Sequence, residues 1–394
     1  MTMLQLLIAL LLAIDLALGS RPLKSTSTPT LCETIVLGYG YPCQEYTVTT
    51  EDGFVLGLQR IPYGKNSSKN SSNRVPVLLQ HGLLQGAEVW VVNSPLESLG
   101  FILADEGYDV WFGNTRGSKA SQGNIYFSNQ DPEYWNWSFE ELAIYDLVSM
   151  LELIYNTTES RPHFIGHSQG TTIALVGLTQ SKVTSLLSSV VLLSPVAFVN
   201  NITPPFTILL AHTYLEKFLA SVGSNEFNPD TGVGAEVVRE ACKLQGIDCS
   251  TVLQVVMGDN SYINKTRFPD YLQFLPQSTS TKNMGHFAQL VRSGTFSRYD
   301  YGNPIENMKY YNQITPPAYD FSTYPRDFPL LMVTGGKDGL ADVPDVQRLL
   351  PNLGNCKVTH IFKPESGHAD FLVGTQAYTD VYVDVNNFFK SIPK

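Results

Sequence analysis

Six apolar runs punctuate the chain, and most of them end in a glycine turn. They are VPVLLQHG (75–82), YDVWFGNTRG (108–117), PHFIGHSQG (162–170), SSVVLLSPV (188–196), FPLLMVTGG (328–336) and KVTHIFKP (357–364). A strand with one face in water alternates apolar and polar residues. These runs are apolar at both alternating positions, as strands buried on both faces of a parallel sheet are. Helical stretches lie between them. SFEELAIYDLVSMLELIY opens with Ser138 and Glu141 at capping-box spacing. QGTTIALVGLTQS follows the third run directly, and AYTDVYVDVNNFFKSI closes the chain. Strand–helix alternation of this kind predicts an α/β fold with a mostly parallel central sheet. An N-terminal hairpin is expected around Asp52-Gly53 in EYTVTTEDGFVLGLQRI.

The alternation stops at 198 and resumes after 324. The intervening stretch is rich in Pro, Asn, Tyr and Phe, and PPFTILLAHTYLEKFLASVG within it reads as one apolar helix. We expect a helical cap or lid inserted into a core built from 20–197 and 325–394. Residues 1–19 carry an apolar run, Leu4 to Ile14, too short to span a bilayer, and end in small residues suited to signal-peptide cleavage after Gly19. The alternative is a short membrane anchor. No Lys or Arg precedes the run.

Secretion has corollaries in the sequence. N-glycosylation triplets stand at Asn66, Asn70, Asn136, Asn156, Asn201 and Asn264. The five cysteines fall into two close pairs, Cys32 with Cys43 and Cys242 with Cys249, leaving Cys356 as a buried thiol. The destination is extracellular, vacuolar or lysosomal. A net charge of −10 gives no basic footprint for nucleic acid. No His/Cys cluster has metal-ligand spacing, and no cofactor is called for.

The chemistry centres on Gly166-x-Ser168-x-Gly170. By chance about 0.1–0.2 such matches are expected in a chain this long at ordinary Gly usage. Here the motif sits where an apolar strand turns into a helix, the context of a nucleophile elbow. Such an elbow exposes the Ser168 hydroxyl and points the Gln169 N–H at the reacting carbonyl. The similar GNTRG (113–117) runs into a polar loop and is read as a structural turn. A serine needs a base, and in this fold order the base follows an acid. His368, in a loop after the last apolar run, is preferred over His360, which lies inside that run. A second oxyanion donor is needed from the loop after an early strand. In LLQHGLLQG, Gly82 permits the turn and Leu83 N–H is the candidate.

Taken in order, VTTEDGFVLGLQRIP, VLLQHGLL, GYDVWFGNTRG, YWNWSFEELAIYDL, FIGHSQGT, STKNMGHFAQLVRSGTFSRYDYG, GGKDGLADVPDV and GHADF resemble the acid lipase family of gastric and lysosomal lipases, and its plant branch most. The resemblance implies an α/β-hydrolase fold with a cap and lid. It implies hydrolysis of ester bonds in neutral lipids, triacylglycerols or sterol esters, at a lipid–water interface. It places nucleophile, acid and base on Ser168, Asp338 and His368, oxyanion donors on Leu83 and Gln169, and a cap disulfide near Cys242 and Cys249. Asp342 and Asp345 then read as helix-start residues around Pro344. Rival readings are an esterase or acyltransferase for smaller esters, and a non-catalytic lipid binder on a hydrolase scaffold.

Overall fold

The computed structural model describes residues 30–67, 74–229 and 250–393. Residues 1–19, read above as a signal peptide, and Asn70, Cys242 and Cys249 lie outside the described residues. The strands are β1 (Gln44–Thr49), β2 (Phe54–Ile61), β3 (Pro76–Gln80), β4 (Asp109–Gly113), β5 (Gly123–Asn124), β6 (His163–His167), β7 (Ser189–Leu193), β8 (Glu226–Phe227), β9 (Thr279–Ser280), β10 (Pro329–Gly335) and β11 (Lys357–Lys363). The main sheet runs β1-β2-β4-β3-β6-β7-β10-β11, with β5 beside β2; β8 and β9 pair separately. From β4 to β11 neighbouring strands are parallel. Antiparallel pairing occurs at the N-terminal hairpin and at its junction with β4.

Register explains the unbroken apolar runs. Trp111, Leu78, Phe164, Val190 and Leu330 form one row across five strands and feed one core. The next row, Phe112, Leu79, Ile165, Val191 and Leu331, feeds the other core on the opposite face. Each strand therefore has to be apolar at every position. The last run departs from the expectation. β11 is the edge strand, and Lys357, Thr359, His360 and Phe362 are exposed. A strand with one neighbour and helices over only part of its surface keeps charged and polar residues. His360 sits on that open face, its Nε2 2.8 Å from Thr334 Oγ1.

Local signals act where the sequence puts them. The Ser138–Glu141 capping box forms, and the chain continues through a π turn into the helix Leu147–Thr158. GNTRG is a structural turn. Its Arg116 is buried, with Nε 2.8 Å from Asp146 Oδ1 and Nη1 2.5 Å from Asp52 Oδ2, tying the hairpin turn to the helix. Cys32 and Cys43 form a disulfide, and Cys356 is a free buried thiol.

Between β7 and β10 the regular elements of the described chain are mainly helices, among them Pro205–His212, Leu215–Ser221, Ser250–Met257, Thr281–Ser293 and Pro304–Tyr311. The single apolar helix expected at its start is instead two. Tyr214 takes a left-handed conformation (φ 53°) and breaks it. Among the described residues no helix is long and apolar enough to cross a membrane.

Candidate active site

Ser168 follows β6 and caps the start of the helix Gln169–Gly177. Its φ of 53° and ψ of −120° lie in a region an L-residue adopts only under constraint. The constraint is visible in the flanking glycines. A Cβ on Gly166 would come within 2.5 Å of the Gly170 carbonyl, and one on Gly170 within 2.4 Å of Gln80 O. The elbow is thus closed by contact between its two glycines and strand β3. Ser168 N–H donates to Leu193 O at 3.1 Å, and Thr171 N–H returns to Ser168 O at 2.8 Å. Gln169 N–H, at the helix start, has no intrahelical acceptor available to it.

His368 lies in the loop after β11. Its Nδ1 is 2.9 Å and 3.0 Å from the two oxygens of Asp338, which leaves β10 by a glycine turn. Both side chains are buried. Asp338 Oδ1 also accepts the N–H groups of Leu340 and Ala341, at 2.9 and 2.8 Å. Burial pushes the Asp338 carboxyl up. The His368 charge and hydrogen bond, Ala341 N–H and Ser194 outweigh it and hold the group below the usual carboxylate range. The acid thus stays ionised beside the imidazole.

The His368 backbone is held beside the elbow. His167 Nε2 donates to His368 O at 2.9 Å, and the two rings lie 4.9 Å apart. Ser194 Oγ donates to the same carbonyl at 3.4 Å. Among the described residues, Ser168 Oγ and the His368 ring make no hydrogen bond to each other. Such bonds are often long before substrate binds.

The turn after β3 packs on Ser168: a Cβ on Gly82 would sit 3.0 Å from Ser168 Cβ. His81 orients this turn. Thr115 N–H donates to His81 Nε2 at 3.1 Å, so Nδ1 carries the ring hydrogen and donates to Gly82 O at 2.8 Å. A trans peptide points its carbonyl and N–H opposite ways. With Gly82 O turned to His81, Leu83 N–H faces away from the ring. Gln85 Oε1 accepts Gly82 N–H at 2.8 Å, closing the turn. Burial pushes His81 down to about 4. It is therefore neutral in ordinary buffers, as its two partners require.

An apolar cavity of about 60 Å³ lies between Gln85 of this turn and Ala369 beside His368, walled by Val89, Met257, Phe268, Leu275 and Leu372. Asp342 and Asp345, by contrast, begin the helix Val343–Leu349. Asp342 occupies the cap position but makes no capping hydrogen bond. Asp345 is buried in the first turn, where its oxygens accept Asn201 N–H and Nδ2–H at 2.9 and 2.7 Å. Of the triplet asparagines described, Asn66, Asn136, Asn156 and Asn201 are exposed and Asn264 is half-buried. Sequence reasoning did not assign His81, His167 or Ser194. The first two flank a motif glycine and the motif serine, but their roles depend on partners distant in the chain.

Residues 75–375 match the family model described as "alpha/beta hydrolase fold", and 32–94 the "Partial alpha/beta-hydrolase lipase region". Triacylglycerol lipase 2 of Arabidopsis thaliana is 38% identical over 95% of this chain and 90% of its own. Gastric triacylglycerol lipase of Rattus norvegicus is 42% identical over 87% of each. Among solved structures, a soluble variant of monoglyceride lipase from Saccharomyces cerevisiae superposes with a TM-score of 0.58 at 16% identity, covering 95% of this chain and all of its own. The chain belongs to the α/β-hydrolase fold family and, within it, to the lipases that include the gastric and plant triacylglycerol enzymes.

Proposed function

We propose that this protein is a lipase that hydrolyses carboxylic ester bonds of neutral lipids through Ser168, His368 and Asp338. The observation that carries the reading is the buried His368–Asp338 pair held beside an elbow serine. His368 Nε2 takes the Ser168 proton as Oγ attacks the ester carbonyl. Leu83 and Gln169 N–H groups stabilise the oxyanion. The intermediate collapses, the C–O bond to the alcohol breaks, and His368 protonates the departing alkoxide. Water then loses a proton to His368 and attacks the acyl-enzyme; the fatty acid leaves and Ser168 regains its proton. Asp338 holds the imidazole with hydrogen on Nδ1 and stabilises its charged form.

Residues 198–324 act as the cap, excluding water and meeting the lipid surface. The similarity to gastric and plant triacylglycerol lipases supports long-chain acylglycerols as substrates. The Cys32–Cys43 disulfide and the exposed acceptor asparagines support passage through the secretory pathway.

The test uses the purified glycosylated protein, emulsified long-chain triacylglycerol and a soluble short-chain ester. The protein should release fatty acid from the emulsion faster than from the soluble ester, and Ser168→Ala should abolish both activities. A Ser168→Ala protein that kept the wild-type rate would end the assignment.

A further inference from the structure

Two buried residues of the 198–324 segment, Asn283 through its side chain and Gln277 through its backbone N–H, reach the turns that carry the proposed oxyanion donors. Asn283, fully buried in the first turn of the helix Thr281–Ser293, donates Nδ2–H to Gln169 Oε1 at 2.7 Å and to Thr279 Oγ1 at 3.0 Å. Gln169 is itself buried, so its side-chain carbonyl needs a partner, and Asn283 supplies it. Gln277, also buried, donates its backbone N–H to Leu84 O at 2.8 Å, one residue past Leu83. Its amide is fixed at both ends: Nε2 donates to Glu88 Oε2 and Oε1 accepts Lys119 N–H, each at 2.9 Å.

The two reach from a firmly seated base. Ser278 Oγ donates to Gly117 O at 2.6 Å and Ser280 Oγ to Trp137 O at 2.8 Å, so 277–283 is tied to the core between the two contacts. Leu84 has a φ of 59°. A non-glycine residue persists there only when its surroundings over-determine it. The Gln277 N–H is one of those determinants.

We infer that Asn283 and Gln277 are positioning residues of this inserted segment, which through them sets the two oxyanion donors, Gln169 N–H and Leu83 N–H. The segment is then part of the catalytic geometry as well as a cover over it. The inference rests on the reading of Leu83 and Gln169 as oxyanion donors, and thus on the proposed function.

The test is a mutant cycle with the soluble short-chain ester, using Asn283→Asp, Gln169→Leu and their double variant. Asp keeps the size of Asn but, ionised, cannot donate to the Gln169 carbonyl; Leu removes the carbonyl that Asn283 holds yet leaves the Gln169 N–H. Active sites are counted with a serine-directed phosphonate, so misfolded protein does not enter kcat. Each single variant should lose about 10- to 100-fold in kcat with KM within about twofold, and the double should be no worse than the poorer single. Gln277→Leu keeps the backbone N–H but removes the side-chain bonds to Glu88 and Lys119 that seat it; it should lose kcat similarly, and its loss should multiply with that of Asn283→Asp. Unchanged kcat per titrated site in Gln169→Leu and Gln277→Leu would overturn the inference, as would multiplied losses within the Asn283–Gln169 pair. Ser168→Ala is the separate control: activity surviving there sinks the hydrolase reading itself, whereas a dead Ser168→Ala with unaffected positioning variants sinks the inference alone.

Discussion

Asp338 and Asp342 stand four residues apart and face opposite demands. Asp338 Oδ1 receives hydrogen bonds from Leu340, Ala341 and His368, and its charge is needed to keep Nδ1 of the ring protonated. Asp338→Asn places an amide there whose N–H favours the wrong tautomer. Replacement of the acid in a serine-protease triad costs about 10⁴ in kcat, and with Asp338 as the proposed acid a loss of that order is expected here with the fold retained. Asp342 makes no capping bond, and its carboxyl is raised by burial, then by the charges of Asp345 and Asp338. Asp342→Asn removes a like-charge repulsion, so kcat should be nearly unchanged and the unfolding free energy from urea titration within about 0.5 kcal/mol of wild type. Measuring kcat and that free energy for both variants decides the pair; the reverse pattern overturns the assignment. The resemblance and the helix-start spacing sufficed to sort these acids by position. They could not show that Asp345 is buried on Asn201, because that partner lies 144 residues away. His81 was likewise illegible: its role depends on Thr115 N–H reaching its far nitrogen.

At the scale of elements, the elbow illustrates why a weak motif carries a strong fold requirement. Its strand, turn and helix are ordinary. The close approach of Gly170 to Gln80 O and His81 O is not, since any side chain there strikes backbone of β3 and of the turn after it. Gly170→Ala should move Ser168 and the Gly82 turn apart together. A displacement near 1 Å costs about 10² in rate, so we expect at least that loss in kcat, with phosphonate labelling slowed in parallel. Wild-type labelling in Gly170→Ala would show that the elbow tolerates the methyl group. The elements themselves were legible wherever burial was two-sided. β11 departs from the expectation of two-sided burial because it ends the sheet, and its Lys357, Thr359, His360 and Lys363 suit an edge strand. The helix break at Tyr214 left no sequence signal either: Thr213 and Tyr214 are neither Gly nor Pro, and tertiary packing overrides their local propensity.

Across the whole molecule, the interior holds titratable groups that respond to acid in opposite directions. His81 and His163 are pushed down to about 4, and His167 and His286 to about 3, chiefly by burial. Each is neutral when folded and takes up a proton at about 6.5 when unfolded. The unfolded state therefore binds more protons between about 6.5 and the folded value, and stability falls as pH drops through that window. Burial raises Glu88, Asp109, Glu140 and Asp146. Their folded forms bind protons more readily than the unfolded ones, so they add stability as pH falls toward the ordinary carboxylate range. The two sets offset each other, and removing one histidine exposes its share. His163 suits the purpose: it is buried, stacked on Phe389 with ring centres 4.2 Å apart, 2.8 Å from Ser189 Oγ through Nδ1, and outside the site. His163→Gln keeps a hydrogen-bonding group for Ser189 and cannot titrate. The variant should be less stable than wild type at pH 7 because the stack is lost. Its further loss between pH 7 and 4.5 should be smaller than that of the wild type by about 2 kcal/mol. Urea unfolding of both proteins at the two pH values measures the difference directly. Equal losses would mean that His163 is protonated in the folded state at pH 4.5, and that its burial between β6 and the C-terminal helix does not keep the ring neutral.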